Sequence, residues 1–267
     1  MTEERPQYVT VSFSGGKDST AMLLHMVELG EHIDEVLTCD TGMEFPAMYE
    51  HIARVHAILD EHGIKHTVLK APHPFEWYMF EKEIPSDKYG LKHGFGWPTP
   101  MIRWCTGWLK RDVLTAHLKE IRKDYDLVQC IGLAADEVKR LERDNNTQKT
   151  HRHPLVEWGW TEADCLQYCY DRGFDWGGLY KIFHRVSCWC CPLQAVGELR
   201  NLWKYYPELW AKLEEMDERL RDDGIGYKGL FKRAPEGVKG YAKRFEKEAR
   251  AERAQTTLIS YIEEGEE

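Results

Sequence analysis

A chain of 267 residues and 31.3 kDa has room for one large α/β domain, or for a domain of roughly 200 residues with a helical appendage. Its 42% hydrophobic and 30% charged residues exclude wholesale disorder, and its net charge of −9 excludes a uniformly basic nucleic-acid coat. No apolar run approaches the roughly 18–20 residues of a membrane span, and the opening MTEERPQ is not a secretory signal, so a cytoplasmic location without a membrane partner is expected.

Tyr8–Phe13 alternates apolar and small polar residues and predicts a strand. Ser14-Gly15-Gly16-Lys17-Asp18-Ser19 forms a turn, and the Ala-, Met- and Leu-rich stretch Thr20–Leu29 predicts a helix closed by Gly30. A second strand is expected at Glu35–Cys39, a helix over Pro46–His62 and a third strand at Thr67–Lys70. Residues 71–100, rich in Pro, Gly and aromatics, read as a long loop with one short helix. Helix resumes over Leu109–Asp124, and Leu127–Ile131 reads as a buried strand. Thr161 is placed to cap a helix running to Gly173, with Glu162 and Asp164 in its first turn. Three helices follow, at Val196–Tyr206, Pro207–Arg221 and Lys239–Ile262, with Trp203 and Trp210 as core residues. The order of elements predicts an α/β fold: a Rossmann-like parallel sheet with helices on both faces, plus a C-terminal helical appendage. The expected division is residues 1–195 for a nucleotide-binding domain and 196–267 for the helices. Basic clusters at Lys119/Arg122/Lys123, Lys139/Arg140/Arg143 and His151–His153 each read, taken alone, as solvated mixed-charge surface.

The Ser14–Ser19 turn is the most informative segment. Two glycines after a strand let backbone N–H groups approach a ligand, and the following helix aims its amides and positive dipole end at the same point. Lys17 adds a mobile positive charge, and Ser14 and Ser19 add hydroxyls. Such a turn suits phosphate or pyrophosphate. It is not a Walker A loop, because Val11 stands where that motif needs glycine. SGGKDS resembles the PP-loop of the ATP pyrophosphatases, also called adenine nucleotide α-hydrolases. Four further segments resemble the phosphoadenosine phosphosulfate (PAPS) reductases among them: Asp40-Thr-Gly-Met-Glu-Phe45-Pro46, Ile131–Arg140, His153–Trp158 with Thr161 and Asp164, and Gly178-Leu-Tyr180 with Ser187-Cys188. The resemblance runs in order from about residue 8 to 192. It implies ATP bound by Ser14, Gly15, Gly16, Lys17, Asp18 and Ser19, with Asp40 at the ribose or adenine. It implies Mg²⁺ at Asp18 and a catalytic set of Lys17, Asp18, Asp136 and Arg140. Without the resemblance, Asp136 and Arg140 read as an i, i+4 surface ion pair.

Cys188-Trp189-Cys190-Cys191 holds a C-x-x-C pair with a third cysteine inside it, a spacing that lets thiolates converge on a metal. The segment Cys105-Thr-Gly-Trp-Leu-Lys110 resembles the CC-x-x-RK of the iron–sulfur reductases, with Thr106 in place of the second cysteine. The resemblance implies a [4Fe–4S] cluster on Cys105, Cys188 and Cys191, with either Cys190 as fourth ligand or one iron left open. Four thiolates also suit zinc. Cys39, Cys130, Cys165 and Cys169 read as buried small hydrophobes. No cysteine follows Cys191, so the nucleophilic cysteine that PAPS reductases carry near their C-terminus is not found in this chain. The leading expectation is therefore sulfur transfer: ATP adenylates an acceptor, and sulfur displaces AMP. The iron–sulfur ATP pyrophosphatases of DNA phosphorothioation are similar, which implies a cysteine desulfurase as sulfur donor and DNA as acceptor, with tRNA second. Arg103, Lys110, Arg111 and His151–His153 are candidates for holding the phosphate backbone. A reductase of an adenylyl sulfate and a non-catalytic nucleotide sensor remain the rival readings. The sequence is compatible with a homodimer and does not fix the oligomeric state.

Overall fold

Alternating side chains of Gln7–Ser12 (β1) place Val11 in the core beside fully buried Val36 of Glu35–Asp40 (β2). The computed structural model describes residues 5–86, 90–147, 149–191, 193–222 and 236–264. In chain order, β1 leads into helix Lys17–Glu28 (α1), then β2, helix Pro46–Glu61 (α2), strand Lys65–Lys70 (β3) and short helix Phe75–Phe80 (α3). The hairpin Glu83–Ser86 (β4) and Gly90–His93 (β5) follows. Trp104–Thr106 (α4) then passes through a π-helical turn, Gly107–Arg111, into Asp112–Ile121 (α5). Strand Asp126–Ile131 (β6), helix Val138–Thr147 (α6), strand His151–Arg152 (β7), helix Pro154–Glu157 (α7) and helix Glu162–Asp171 (α8) come next. After the 3₁₀ turn Trp176–Gly178 stand Leu179–Ile182 (α9), Val196–Tyr205 (α10), Pro207–Asp222 (α11) and Gly237–Glu264 (α12). No helix among the described residues is long and apolar enough to cross a membrane.

The five-stranded sheet has the order β3-β2-β1-β6-β7, and every neighbouring pair is parallel. Leu114, Leu118 and Ile121 of α5 pack on one face against Leu37, Leu69 and Leu127. Val36 and Thr38 point to the other face and are buried too, so both faces are covered, as a parallel sheet requires. Successive strands run outward from β1 to β3, and the chain then returns to the opposite side of β1 with β6. The carboxyl ends of β1 and β6 therefore flank the crevice where open sheets of this kind bind ligands.

Glu35 opens β2 with a side chain only 1% exposed. It accepts from Lys65 Nζ at 2.8 Å, His117 Nε2 at 2.9 Å, Tyr8 Oη at 3.3 Å and the Thr67 hydroxyl. Burial opposes its charge, but Lys65, Thr67 and His117 outweigh that and bring its pKa from 4.5 down to about 2. Because the folded value is depressed, the stability it contributes is complete above about pH 4.5 and lost as pH falls toward 2. The amount is roughly 3 kcal/mol. Urea denaturation of Glu35→Gln across that window is expected to show a flatter acid limb; an unchanged limb would assign the acid sensitivity to other carboxylates.

Three expectations are corrected here. Residues 71–100 contain the β4–β5 hairpin as well as α3, since local composition does not reveal which short segments pair. Helix begins at Trp104 rather than Leu109, and α6 and β7 had no element assigned. The contacts also divide the chain differently from a cut at residue 195. One unit comprises residues 1–75 and 104–188; the other comprises 76–103 and 189–267. The second unit gains residues 76–103 partly through buried Asp217 of α11, which accepts from Trp97 Nε1 at 3.0 Å and from the Val238 N–H at 3.1 Å. Within the same unit Trp203, Trp210 and Tyr241 each lie 5.9 Å from the Phe245 ring; Trp210 is buried, as a core role requires, whereas Trp203 is only half-buried.

The expected cap of α8 is present as a reciprocal box. Thr161 Oγ1 accepts from the Asp164 N–H, and the Asp164 carboxylate accepts from the Thr161 N–H at 2.9 Å. Thr161→Ala is expected to cost about 1 kcal/mol in urea denaturation; a change within error would show that Asp164 alone caps the helix.

Candidate functional site

The turn after β1 is shorter than the expected Ser14–Ser19, because α1 already begins at Lys17, and it is braced by residues far along the chain. Gly15 has φ +78°, open to glycine without strain, and its carbonyl accepts from Trp176 Nε1 at 2.7 Å. The Lys17 N–H donates to Tyr180 Oη at 2.9 Å, and the Trp176 and Tyr180 rings pack 4.8 Å apart. Inside the turn Ser14 Oγ and Ser19 Oγ lie 3.0 Å apart, and the Ser14 N–H donates to Ser19 Oγ at 3.2 Å. The N–H groups of Gly15, Asp18 and Ser19 have no hydrogen-bond acceptor among the described residues, leaving donors at the positive end of α1. Gly132, next after β6, lets this helix end approach the sheet: a Cβ there would stand 2.9 Å from Ser19 Cα and 3.0 Å from Ser19 N.

Lys17 is buried and shared between two carboxylates. Its Nζ lies 2.8 and 3.0 Å from the Asp18 oxygens and 2.6 Å from Glu162 Oε2. Burial would lower the Lys17 pKa, but its bonds to Asp18 and Glu162 prevail and raise it. Asp18 moves up because burial outweighs Lys17. Asp136 enters the same network through its Oδ1, which accepts from the Glu162 N–H at 3.1 Å. Arg140 does not pair with Asp136, the partner that i, i+4 spacing suggested. It binds Glu137 instead, on the exposed side of α6.

Asp40 shapes the turn after β2. Its Oδ1 accepts from the Gly42 N–H at 2.8 Å and Tyr49 Oη at 3.0 Å, and its Oδ2 faces Lys70 Nζ at 3.1 Å. Burial opposes its charge, but these partners hold its pKa below the ordinary value. The next residues meet Cys188: its Sγ donates to Glu44 Oε1 at 3.3 Å and lies 3.7 Å from Thr41 Oγ1. Lys110 Nζ stands 3.4 Å from the same Glu44 oxygen. Burial and Glu44 push the Cys188 thiol up to about 12, against the pull of Lys110.

The four cysteines expected to hold a metal fall in both units. Cys105 and Cys188 belong to the first, Cys190 and Cys191 to the second. Among the described residues no group of three or more His, Cys, Asp or Glu side chains gathers into a metal site. Soft thiol donors still fit iron–sulfur or zinc chemistry, and the Lys110 cation favours the thiolate that either would need at Cys188. Cys130, Cys165 and Cys169 are fully buried, and burial raises all three thiols, Cys130 to about 11 and Cys169 to about 12, as small apolar residues should behave. Cys39 is half-buried, with its thiol also raised by burial.

Sequence reasoning named the turn but not its supports. Glu162, Trp176, Tyr180 and Glu44 touch the named residues from distant positions. Tyr180 and Glu44 lay within recognised segments, and Glu162 lay beside a predicted cap, yet nothing local pointed to their partners.

The family model described as phosphoadenosine phosphosulfate reductase domain matches residues 8–194. An uncharacterised protein of Methanocaldococcus jannaschii is 30% identical over 216 residues, covering 78% of this chain and 41% of its own length. A second uncharacterised protein of that organism is 25% identical over 236 residues, covering 84% of this chain and 51% of its own. The chain thus spans about half the length of these relatives, or less. Among solved structures, a U34-tRNA thiolase from Methanococcus maripaludis with its [4Fe–4S] cluster aligns with a TM-score of 0.41 and 16% identity, covering 91% of this chain and 72% of that one.

Proposed function

Because this chain belongs to the phosphoadenosine phosphosulfate reductase domain family, we propose that it is a PP-loop ATP pyrophosphatase of the cytoplasm that adenylates DNA for phosphorothioate modification. The observation that carries the reading is the β1–α1 turn, with its unpaired N–H groups and Lys17 at the carboxyl edge of a parallel sheet.

The turn amides and the α1 dipole hold the β and γ phosphates, and Lys17 balances the charge that gathers on departing pyrophosphate. Asp18 is the carboxylate offered to Mg²⁺, a hard cation that bridges phosphate oxygens. Asp136 and Arg140 serve the α-phosphate side of the cleft, and the Asp40 turn serves the nucleoside. A non-bridging oxygen of the DNA phosphodiester attacks the α phosphorus, and the bond to the β phosphate breaks. Pyrophosphate leaves, and AMP stays on the acceptor. Sulfur at the sulfide level, supplied by a cysteine desulfurase with a thiol reductant, then attacks the activated DNA phosphorus and expels AMP. Cys105, Cys188, Cys190 and Cys191 are the ligands assigned to a [4Fe–4S] cluster, with zinc as the alternative metal. When bound, the cluster supplies soft, Lewis-acidic iron suited to carrying sulfur.

The test is nucleotide analysis after anaerobic incubation with ATP, Mg²⁺, a sulfur donor and DNA. AMP, pyrophosphate and DNA phosphorothioate are expected. ADP and phosphate, or sulfite released from an adenylyl sulfate, would overturn the reading. AMP formed with tRNA alone would remove DNA as acceptor and keep the adenylation chemistry.

A further inference from the structure

Resting on the nucleotide-site reading above, we propose that Glu162 is a latch that holds the Lys17 ammonium away from the phosphate site until a polyphosphate displaces it. The contact joins residues distant in sequence: Glu162 Oε2 reaches Lys17 Nζ at 2.6 Å from the first turn of α8. Both main chains are fixed. The Lys17 N–H is held by Tyr180 Oη at 2.9 Å, the Glu162 N–H by Asp136 Oδ1 at 3.1 Å, and the turn before Glu162 by the Thr161–Asp164 box. Only side chains are left to move, and lysine has a flexible four-carbon stem for doing so.

Charge gives the direction of the effect. One ammonium faces two carboxylates, so their side chains place an excess negative charge where a polyphosphate must enter. Asp18 adjoins Lys17 in α1 and keeps both its oxygens on Nζ. Glu162 is the contact that phosphate can replace, because its side chain is 47% exposed while that of Asp18 is 25% exposed. Water can solvate the released carboxylate, and the N-terminus of α8 keeps its charge favourable. Exchange of Glu162 for a phosphate oxygen on Nζ returns the lysine to the site only when the phosphates are present. Glu162 is thus a positioning residue acting through Lys17.

The experiment titrates the full chain with inorganic pyrophosphate, and with ATP bearing a methylene bridge between the α and β phosphates, by calorimetry without metal. Glu162→Gln removes the charge and keeps the shape, and is expected to bind about ten-fold more tightly. In a Lys17→Gln background the same change is expected to give a clearly smaller gain, the relief of repulsion alone, since the latch has nothing to hold. Glu162→Asp keeps the charge with a shorter reach, and its affinity is expected to lie between wild type and Glu162→Gln. An equal gain in both backgrounds would reduce Glu162 to simple repulsion of anions and overturn the latch. So would unchanged or weaker binding by Glu162→Gln with a wild-type melting curve. Each of those outcomes leaves the nucleotide site standing. Absence of binding by every variant and by wild type would remove the site and the latch together.

Discussion

Lys17→Ala is expected to lower pyrophosphate formation by about 10²–10³-fold, the range seen when one preorganised group at a developing charge is removed. The lysine is the shared counter-ion of Asp18 and Glu162, and its loss leaves both carboxylates without it. Two carboxylates would then face an incoming polyphosphate, so affinity falls along with rate. Lys17→Arg restores the charge but needs more room in a site where the lysine is already buried, so partial rescue is expected. Single-turnover assays at saturating ATP separate the two losses. A rate within two-fold of wild type at saturation would show that Lys17 only gathers substrate and does not stabilise the leaving group.

Gly132→Ala is expected to have the second-largest effect, at a position that never contacts the nucleotide in the proposed chemistry. The added methyl would meet Ser19 Cα at 2.9 Å, Ser19 N at 3.0 Å and the Asp18 carbonyl carbon at 3.2 Å. These are main-chain atoms of the first turn of α1, which cannot rotate away as a side chain end would. The helix terminus must shift from the sheet edge, carrying the turn donors and Lys17 with it. A stability loss of about 1–3 kcal/mol is expected from overpacking, along with weaker pyrophosphate binding. Urea denaturation and calorimetry on the same protein measure both. Wild-type affinity in a destabilised Gly132→Ala protein would show that the turn adjusts independently of β6.

Both predictions start from residues in recognised segments, yet they differ in what made them legible. Strand, glycine pair and helix are written locally around Lys17: a period of two, a turn and an Ala-, Met- and Leu-rich stretch follow one another in residues 8–29. The consequence of Gly132 is invisible along the chain, because its neighbour in space is 113 residues earlier, across the β1–β6 pairing. The same holds at the cysteines. Their spacing in 188–191 suggested convergence, but the hydrogen bond of Cys188 to Glu44, and the Lys110 cation beside that carboxylate, came only from folding.

By itself the sequence determined the α/β pattern, the glycine-pair turn after β1, the capped start of α8 and the apolar roles of Cys130, Cys165 and Cys169. Each depends on near neighbours, through backbone conformation, capping or a residue's affinity for the interior. Tertiary structure decided the strand order, the hairpin within residues 71–100, the grouping of residues 76–103 with the C-terminal helices and the hold of Glu162 on Lys17. Those are pairings between segments far apart in the chain. They are selected by packing and by the need to satisfy buried polar groups, which no local pattern encodes.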